Sequence, residues 1–138
     1  MSQKPETIFI QSVHRHLRRE VYAMKNHNEY NGGIADCWYD GPRGDLWVEY
    51  KFLELPKRAT TLIDLCGGKN PPLSHLQQQW LADRAFNGRS VAVVVGCKEG
   101  GVWFDPMQWT KPLTTDAFRQ ALVSRNRIAD WIGSIVYG

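Results

Sequence analysis

Two carboxylates and a lysine on one short hairpin are the residues whose types and spacing could do chemistry. Segments 34–40 (IADCWYD) and 46–53 (LWVEYKFL) read as strands on either side of Gly41-Pro42-Arg43-Gly44. A turn centred between Pro42 and Arg43 sets Asp36 opposite Glu49, with Cβ atoms roughly 4.5–5.5 Å apart. The same register pairs Trp38 with Trp47 on that face. On the other face it pairs Ala35 with Tyr50, Cys37 with Val48 and Tyr39 with Leu46. Lys51 follows Glu49 on the polar face, roughly 6.6 Å along the strand. A slip of one residue would bring Tyr50 opposite Asp36 and mix both faces, so the pattern itself selects the register.

Two carboxylates held this close repel one another unless something neutralises them. A hard divalent cation does so through oxygen ligands, which suits Mg²⁺ or Mn²⁺. Such an ion polarises a scissile phosphate and lowers the pKa of a bound water, and a neighbouring lysine stabilises charge on the phosphorus or positions the water. Asp, then Glu-x-Lys on the next strand, is thus a device for hydrolysing a phosphodiester. The bland alternative is a surface ion cluster in which Lys51 only offsets Glu49 or Asp36. The ordered combination of the Gly-Gly-x-Ala-Asp entry, the hairpin and the later helix and strand favours the chemical reading.

The elements that must position these residues follow from periodicity. Ile10, Val13 and Leu17 form a helical stripe within 6–19. Residues 20–25 (EVYAMK) read as a short strand, and NHNEYNGG (26–33) as a turn or loop. After the hairpin come a polar, basic stretch (ELPKRATT) and CGGKNPP, which is not regular structure. Ser74 and Gln77 have capping-box spacing for a second helix, with Leu73 ahead as a staple and Asn87-Gly88 as the stop. VAVVVG (91–96) is a strand buried on both faces, and Gly100-Gly101 turns it into VWF. Two helices, around 115–124 and 128–135, close the chain. The order is α-β-β-β-α-β with C-terminal helices, an α/β architecture. We expect one domain over 1–138, with a core of about 6–104 and a helical extension over 105–138.

Gly32-Gly33-Ile34-Ala35-Asp36, Trp47-Val48-Glu49-Tyr50-Lys51, and Leu73-Ser74-His75-Leu76-Gln77 with Gly88 closing the helix resemble the VRR-NUC family of PD-(D/E)xK nucleases. The resemblance spans about 6–104, and Ala35 departs from the motif's nominal proline. It implies a restriction-endonuclease-like core and a small stand-alone member of the phage type. It further implies structure-specific cleavage of branched DNA (a junction, flap or fork). Asp36 and Glu49 would be metal ligands, with the Tyr50 carbonyl a third, and Lys51 the catalytic lysine. Gln77 matches the family's helix glutamine beside the site, although helix capping alone also explains it. Such nucleases often carry a glutamate on the first helix. Glu6, one turn before Ile10, is the better candidate and would add a further metal ligand, and Glu20 is the fallback if the helix runs longer; a solvent-facing carboxylate is the alternative for both. Branched substrates and the family together imply a homodimer offering two sites.

Composition permits this reading without demanding it. Lys+Arg of 17 against Asp+Glu of 14 gives a net charge of +3, only mildly basic. Lys57 and Arg58, after the hairpin, are the expected phosphate contacts. For the basic group His14, Arg15, His16, Arg18 and Arg19, a solvated helix face is the bland reading. Cys37, Cys66 and Cys97 form no Cys-x-x-Cys pair, and His14, His16, His27 and His75 have no metal-ligand spacing with them. Cys66-Gly67-Gly68-Lys69 lacks phosphate-loop spacing. Trp38 and Trp47 read as a structural cross-strand pair, with stacking on unpaired bases the alternative. MSQKPETIF lacks the apolar run of a signal peptide and no segment reads as a membrane span, so the expected setting is cytoplasmic, the host's if phage-encoded. Two competing readings are an idle nuclease fold that only binds DNA or a protein partner, and a sequence-specific restriction-type enzyme that cuts plain duplex.

Overall fold

The computed structural model describes residues 3–26 and 32–138. Most of the Asn-rich loop, including His27, lies outside the described residues. In chain order the elements are α1 (Pro5–His14), β1 (Tyr22–Lys25), β2 (Cys37–Gly41), β3 (Gly44–Phe52), β4 (Leu62–Ile63), α2 (His75–Phe86), β5 (Val91–Cys97), β6 (Gly100–Phe104), β7 (Leu113–Thr114), α3 (Thr115–Gln120) and α4 (Arg125–Val136). The expected α-β-β-β-α-β order is present. Two short strands, β4 and β7, were not anticipated; they pair antiparallel with each other, Leu62 opposite Thr114.

Pro5 starts α1 at a position where a missing N–H costs nothing. The helix is shorter than its apolar stripe predicts. It tightens after His14, where His16 N–H bonds the Val13 carbonyl (3.0 Å) and Leu17 N–H the His14 carbonyl (3.1 Å). Leu17 still packs on the core, but from this turn. The stripe therefore overran the helix, and Arg15, Arg18 and Arg19 belong to the turns that lead into β1.

The main sheet runs β1-β2-β3-β5-β6. β1, β2 and β3 are antiparallel, β3 and β5 parallel, β5 and β6 antiparallel. The β2–β3 register is the expected one: Cys37 faces Val48, Trp38 faces Trp47 and Tyr39 faces Leu46. β5 is buried along its full length because helices lie on both sides. Alternation along the strands then builds two cores. On one face Cys37, Tyr39, Val48, Tyr50 and Val94 pack against Phe9, Ile10 and Val13 of α1 and against Ile128, Ile132 and Val136 of α4. On the other, Val91, Val93 and Val95 pack under Leu81 of α2, with Ile63, Trp109 and Phe118. α4 thus shares one apolar core with the elements that precede it.

Close packing fixes α1 against the sheet. A Cβ on Gly96 of β5 would stand 2.5 Å from the ring of Phe9, which is itself buried. Only a glycine lets the helix approach this closely, and that closeness brings the start of α1 to the end of β3. Within the same core the Tyr39 hydroxyl bridges His14 Nε2 and the Tyr50 hydroxyl, each at 2.7 Å. His14 is therefore a half-buried histidine with its Nε2 satisfied, and burial lowers its pKa.

Candidate active site

β3 bonds β5 through its odd-numbered residues. The Trp47 N–H reaches the Ser90 carbonyl (3.1 Å) and the Leu53 N–H follows at the Gly96 carbonyl (2.9 Å). Even-numbered residues of β3 consequently turn their N–H and C=O toward β2. At Tyr50 the strand β2 has not yet begun, and the side chain of Asp36 stands in for the ladder: its Oδ2 accepts the Tyr50 N–H at 2.9 Å. Asp36 was expected inside a strand and instead sits one residue before β2. The register carried back from Cys37 and Val48 keeps it in line with Glu49.

The Gly-Gly entry to Asp36 has a physical reason. Gly33 adopts φ +98°, and a Cβ there would meet the Leu76 carbonyl of α2 at 2.7 Å. The chain can thus enter Asp36 hard against the first turn of α2, so the two carboxylates and that turn converge.

Glu49 is 1% exposed. Its Oε2 accepts from Lys51 Nζ at 3.3 Å and from Gln77 Nε2 at 3.1 Å, while Oε1 is buried with no partner. Burial first, and then the Asp36 charge, push the Glu49 pKa up to about 9 against the pull of Lys51. Gln77 does two jobs at once. Its Oε1 accepts the Ser74 N–H (3.0 Å) in a complete capping box, and its Nε2 holds Glu49.

Glu6, in the first turn of α1, completes the group. Its carboxyl lies beside Asp36, and burial followed by the Asp36 charge raises its pKa to about 7. Lys25 was not singled out in the sequence, where only its place in the β1 alternation could have marked it. Its Nζ donates to Thr7 Oγ1 (3.4 Å), and its charge partly offsets the rise at Glu6. The structure therefore brings together Glu6, Asp36, Glu49, Lys51 and Gln77, with the Tyr50 backbone at their centre.

Other expected residues lie elsewhere. Glu20 is exposed beyond the end of α1 and pairs with Arg18 at 3.8 Å, so the fallback fails because the helix stops too early. Arg18 is also tied to the C-terminus through the Gly138 carbonyl (2.9 Å) and the Tyr137 ring. Lys57 and Arg58 are exposed in the segment after β3.

Among the described residues, no group of three His, Cys, Asp or Glu side chains could by itself hold a metal ion. Two carboxylates beside a backbone carbonyl nevertheless fit a hard cation that completes its shell with water. The unpartnered, buried Oε1 of Glu49 is the acceptor such an ion would satisfy, and the burial and mutual repulsion that raise the pKa values of Glu6 and Glu49 are what a cation among the carboxylates would offset.

No family model matches the chain, and no curated protein does. The solved structure of Hjc, a Holliday junction resolvase from the archaeal hyperthermophile Archaeoglobus fulgidus, is similar. The TM-score is 0.52 at 14% identity, over 90% of this chain and 99% of that one. At this identity the likeness is one of fold, and the fold is restriction-endonuclease-like. No helix among the described residues is long and apolar enough to cross a membrane.

Proposed function

We propose that this protein is a Mg²⁺- or Mn²⁺-dependent DNA endonuclease of the PD-(D/E)xK type, close to the VRR-NUC family, acting as a homodimer on branched DNA. The observation that carries the proposal is the convergence of Glu6, Asp36, Glu49, Lys51 and Gln77 at the end of the β2–β3 hairpin. A fold shared with a Holliday junction resolvase supports the choice of a branched substrate. A single domain over 1–138, the phage-type origin and a cytoplasmic setting belong to the same proposal.

Asp36 and Glu49 would hold the cation together with the Tyr50 carbonyl, which faces the same side of β3 as the N–H that Asp36 accepts. Bound there, the ion supplies Lewis-acid polarisation of the scissile phosphate and a lowered pKa for water. The chain's own residues do the rest. The Tyr50 N–H fixes one Asp36 oxygen, Gln77 fixes one Glu49 oxygen, and Lys51 sets an ammonium where negative charge builds up on the phosphate. Lys57 and Arg58 would take flanking phosphates, and Glu6, beside Asp36, would be a further ligand to the cation.

Labelled duplex, flap, fork and four-way-junction DNA, each incubated with Mg²⁺, Mn²⁺ or EDTA, tests the proposal. We expect cleavage near the branch that EDTA abolishes. Cutting of plain duplex at fixed sequences would indicate a restriction-type enzyme, and binding without metal-dependent cleavage an idle fold.

Two substitutions separate the roles of Gln77. Ser74→Ala removes the cap alone and should cost about 1 kcal/mol of stability with cleavage nearly unchanged. Gln77→Ala should cost a similar amount and also slow cleavage by about 10–100-fold, the usual effect of losing a group that orients a ligand. Denaturant melts and single-turnover rates on both variants check this. Equal rates would reduce Gln77 to a helix cap.

A further inference from the structure

The sheet face that carries Asp36 and Glu49 also carries a row of aromatic rings. The Tyr22 ring meets Trp38 at 5.8 Å, Trp38 meets Trp47 at 6.2 Å, and Trp47 meets Trp80 of α2 at 5.4 Å. The Arg84 guanidinium closes the row over Trp80 at 5.4 Å, and it forms no ion pair among the described residues. Met24 lies opposite Trp38 on β1. α2 covers the β5 side of this face. Over β1 and β2 no described element covers it, which leaves Tyr22 58% and Met24 40% exposed. On the opposite face, by contrast, α1 and α4 bury Cys37 and Tyr39.

We propose that this row is a stacking platform for unpaired bases of the DNA strand whose phosphate lies at Asp36 and Glu49. The proposal rests on the nuclease reading above and deepens it. The Trp38–Trp47 pair follows the Asp36–Glu49 line by one pleat repeat, roughly 6.6 Å, or about two base steps of 3.4 Å. A strand held at the carboxylates therefore passes onto the rings directly. Aromatic faces bind any base, since every base has a π-face, so the platform recognises the lack of pairing rather than sequence. The two acids at its far end, Asp40 and Asp45, face each other across β2 and β3. Asp45 is engaged by the Trp38 indole N–H at 2.8 Å. Their charges disfavour phosphates there and leave the middle of the row to bases. Arg84 is the cation placed to meet backbone or base at the α2 end.

The test measures binding in EDTA, where nothing is cut. Fluorescence anisotropy with a labelled flap, a single strand of the same sequence and the matching blunt duplex is read for wild type, Tyr22→Ala, Tyr22→Phe and Trp38→Ala. Tyr22→Ala and Trp38→Ala should each weaken flap and single-strand binding by about tenfold. Tyr22→Phe should retain it, and duplex binding should change less than about twofold. Tyr22 is half-exposed, so its variants keep the test decisive if Trp38→Ala fails to fold. Equal losses on flap and duplex, no loss, or no binding of any DNA overturns the platform. Selective loss in a protein that never cleaves would uphold the platform and sink the nuclease reading. Metal-dependent cleavage with unaltered flap binding in the Tyr22 variants would do the reverse.

Discussion

Asp36→Asn should lower the metal-dependent cleavage rate by about a thousandfold or more while leaving the fold intact. The asparagine Oδ1 can still accept the Tyr50 N–H that Asp36 Oδ2 accepts now, so the local ladder survives. The negative charge that would hold the cation does not. Lys51→Ala should cost about 10²–10³-fold, the usual penalty for removing one donor aimed at developing charge. It also strips Glu49 of the ammonium 3.3 Å away, and because burial already favours the neutral acid, Glu49 takes up a proton rather than unfolding the protein. Single-turnover rates with Mg²⁺, alongside circular dichroism of both variants, measure the effect. A rate within about threefold of wild type for either variant would remove that residue from the chemistry.

The second large effect has opposite signs for stability and activity. Glu49 titrates near 9 in the folded protein against an ordinary value of 4.5. Between those values the native state binds a proton that the unfolded state has lost, so stability falls as pH rises across this window. Glu6 adds the same trend up to about 7. Glu49→Gln keeps acceptors for Gln77 and loses the ionisable group. In EDTA its stability should therefore be flatter from pH 5 to 9 and exceed wild type at pH 9 by an amount on the order of a few kcal/mol, while its cleavage is abolished. Adding Mg²⁺ should stabilise wild type more than the variant. Denaturant melts at pH 5, 7 and 9 decide the matter, and parallel curves for the two proteins would contradict it.

The parts of this arrangement legible in the sequence are those fixed by local rules. The hairpin register follows from two-residue alternation and a Gly-Pro-Arg-Gly turn, and the structure pairs Trp38 with Trp47 as that rule requires. The start of α2 follows from Ser74 and Gln77. What escaped depends on packing between distant segments. The apolar stripe through Leu17 carried α1 too far, since a residue in a turn can reach the core as well as one in a helix. β4 and β7 are two residues each, too short for any period to show. Trp38 and Trp47 were legible as a pair. That Tyr22 and Trp80 extend them into a row needed the pairing of β1 and the seat of α2.

The amide of Gln77 has one further consequence. Helices treat glutamine and glutamate as nearly interchangeable at the third residue of a capping box, because only an oxygen is required. Here the other half of the amide faces a buried carboxylate, and glutamate would set a fourth acid beside Glu6, Asp36 and Glu49. A choice that is degenerate for secondary structure becomes binary at this position. Among related chains, a glutamine rather than a glutamate three residues after the cap would mark the helices that guard such a site.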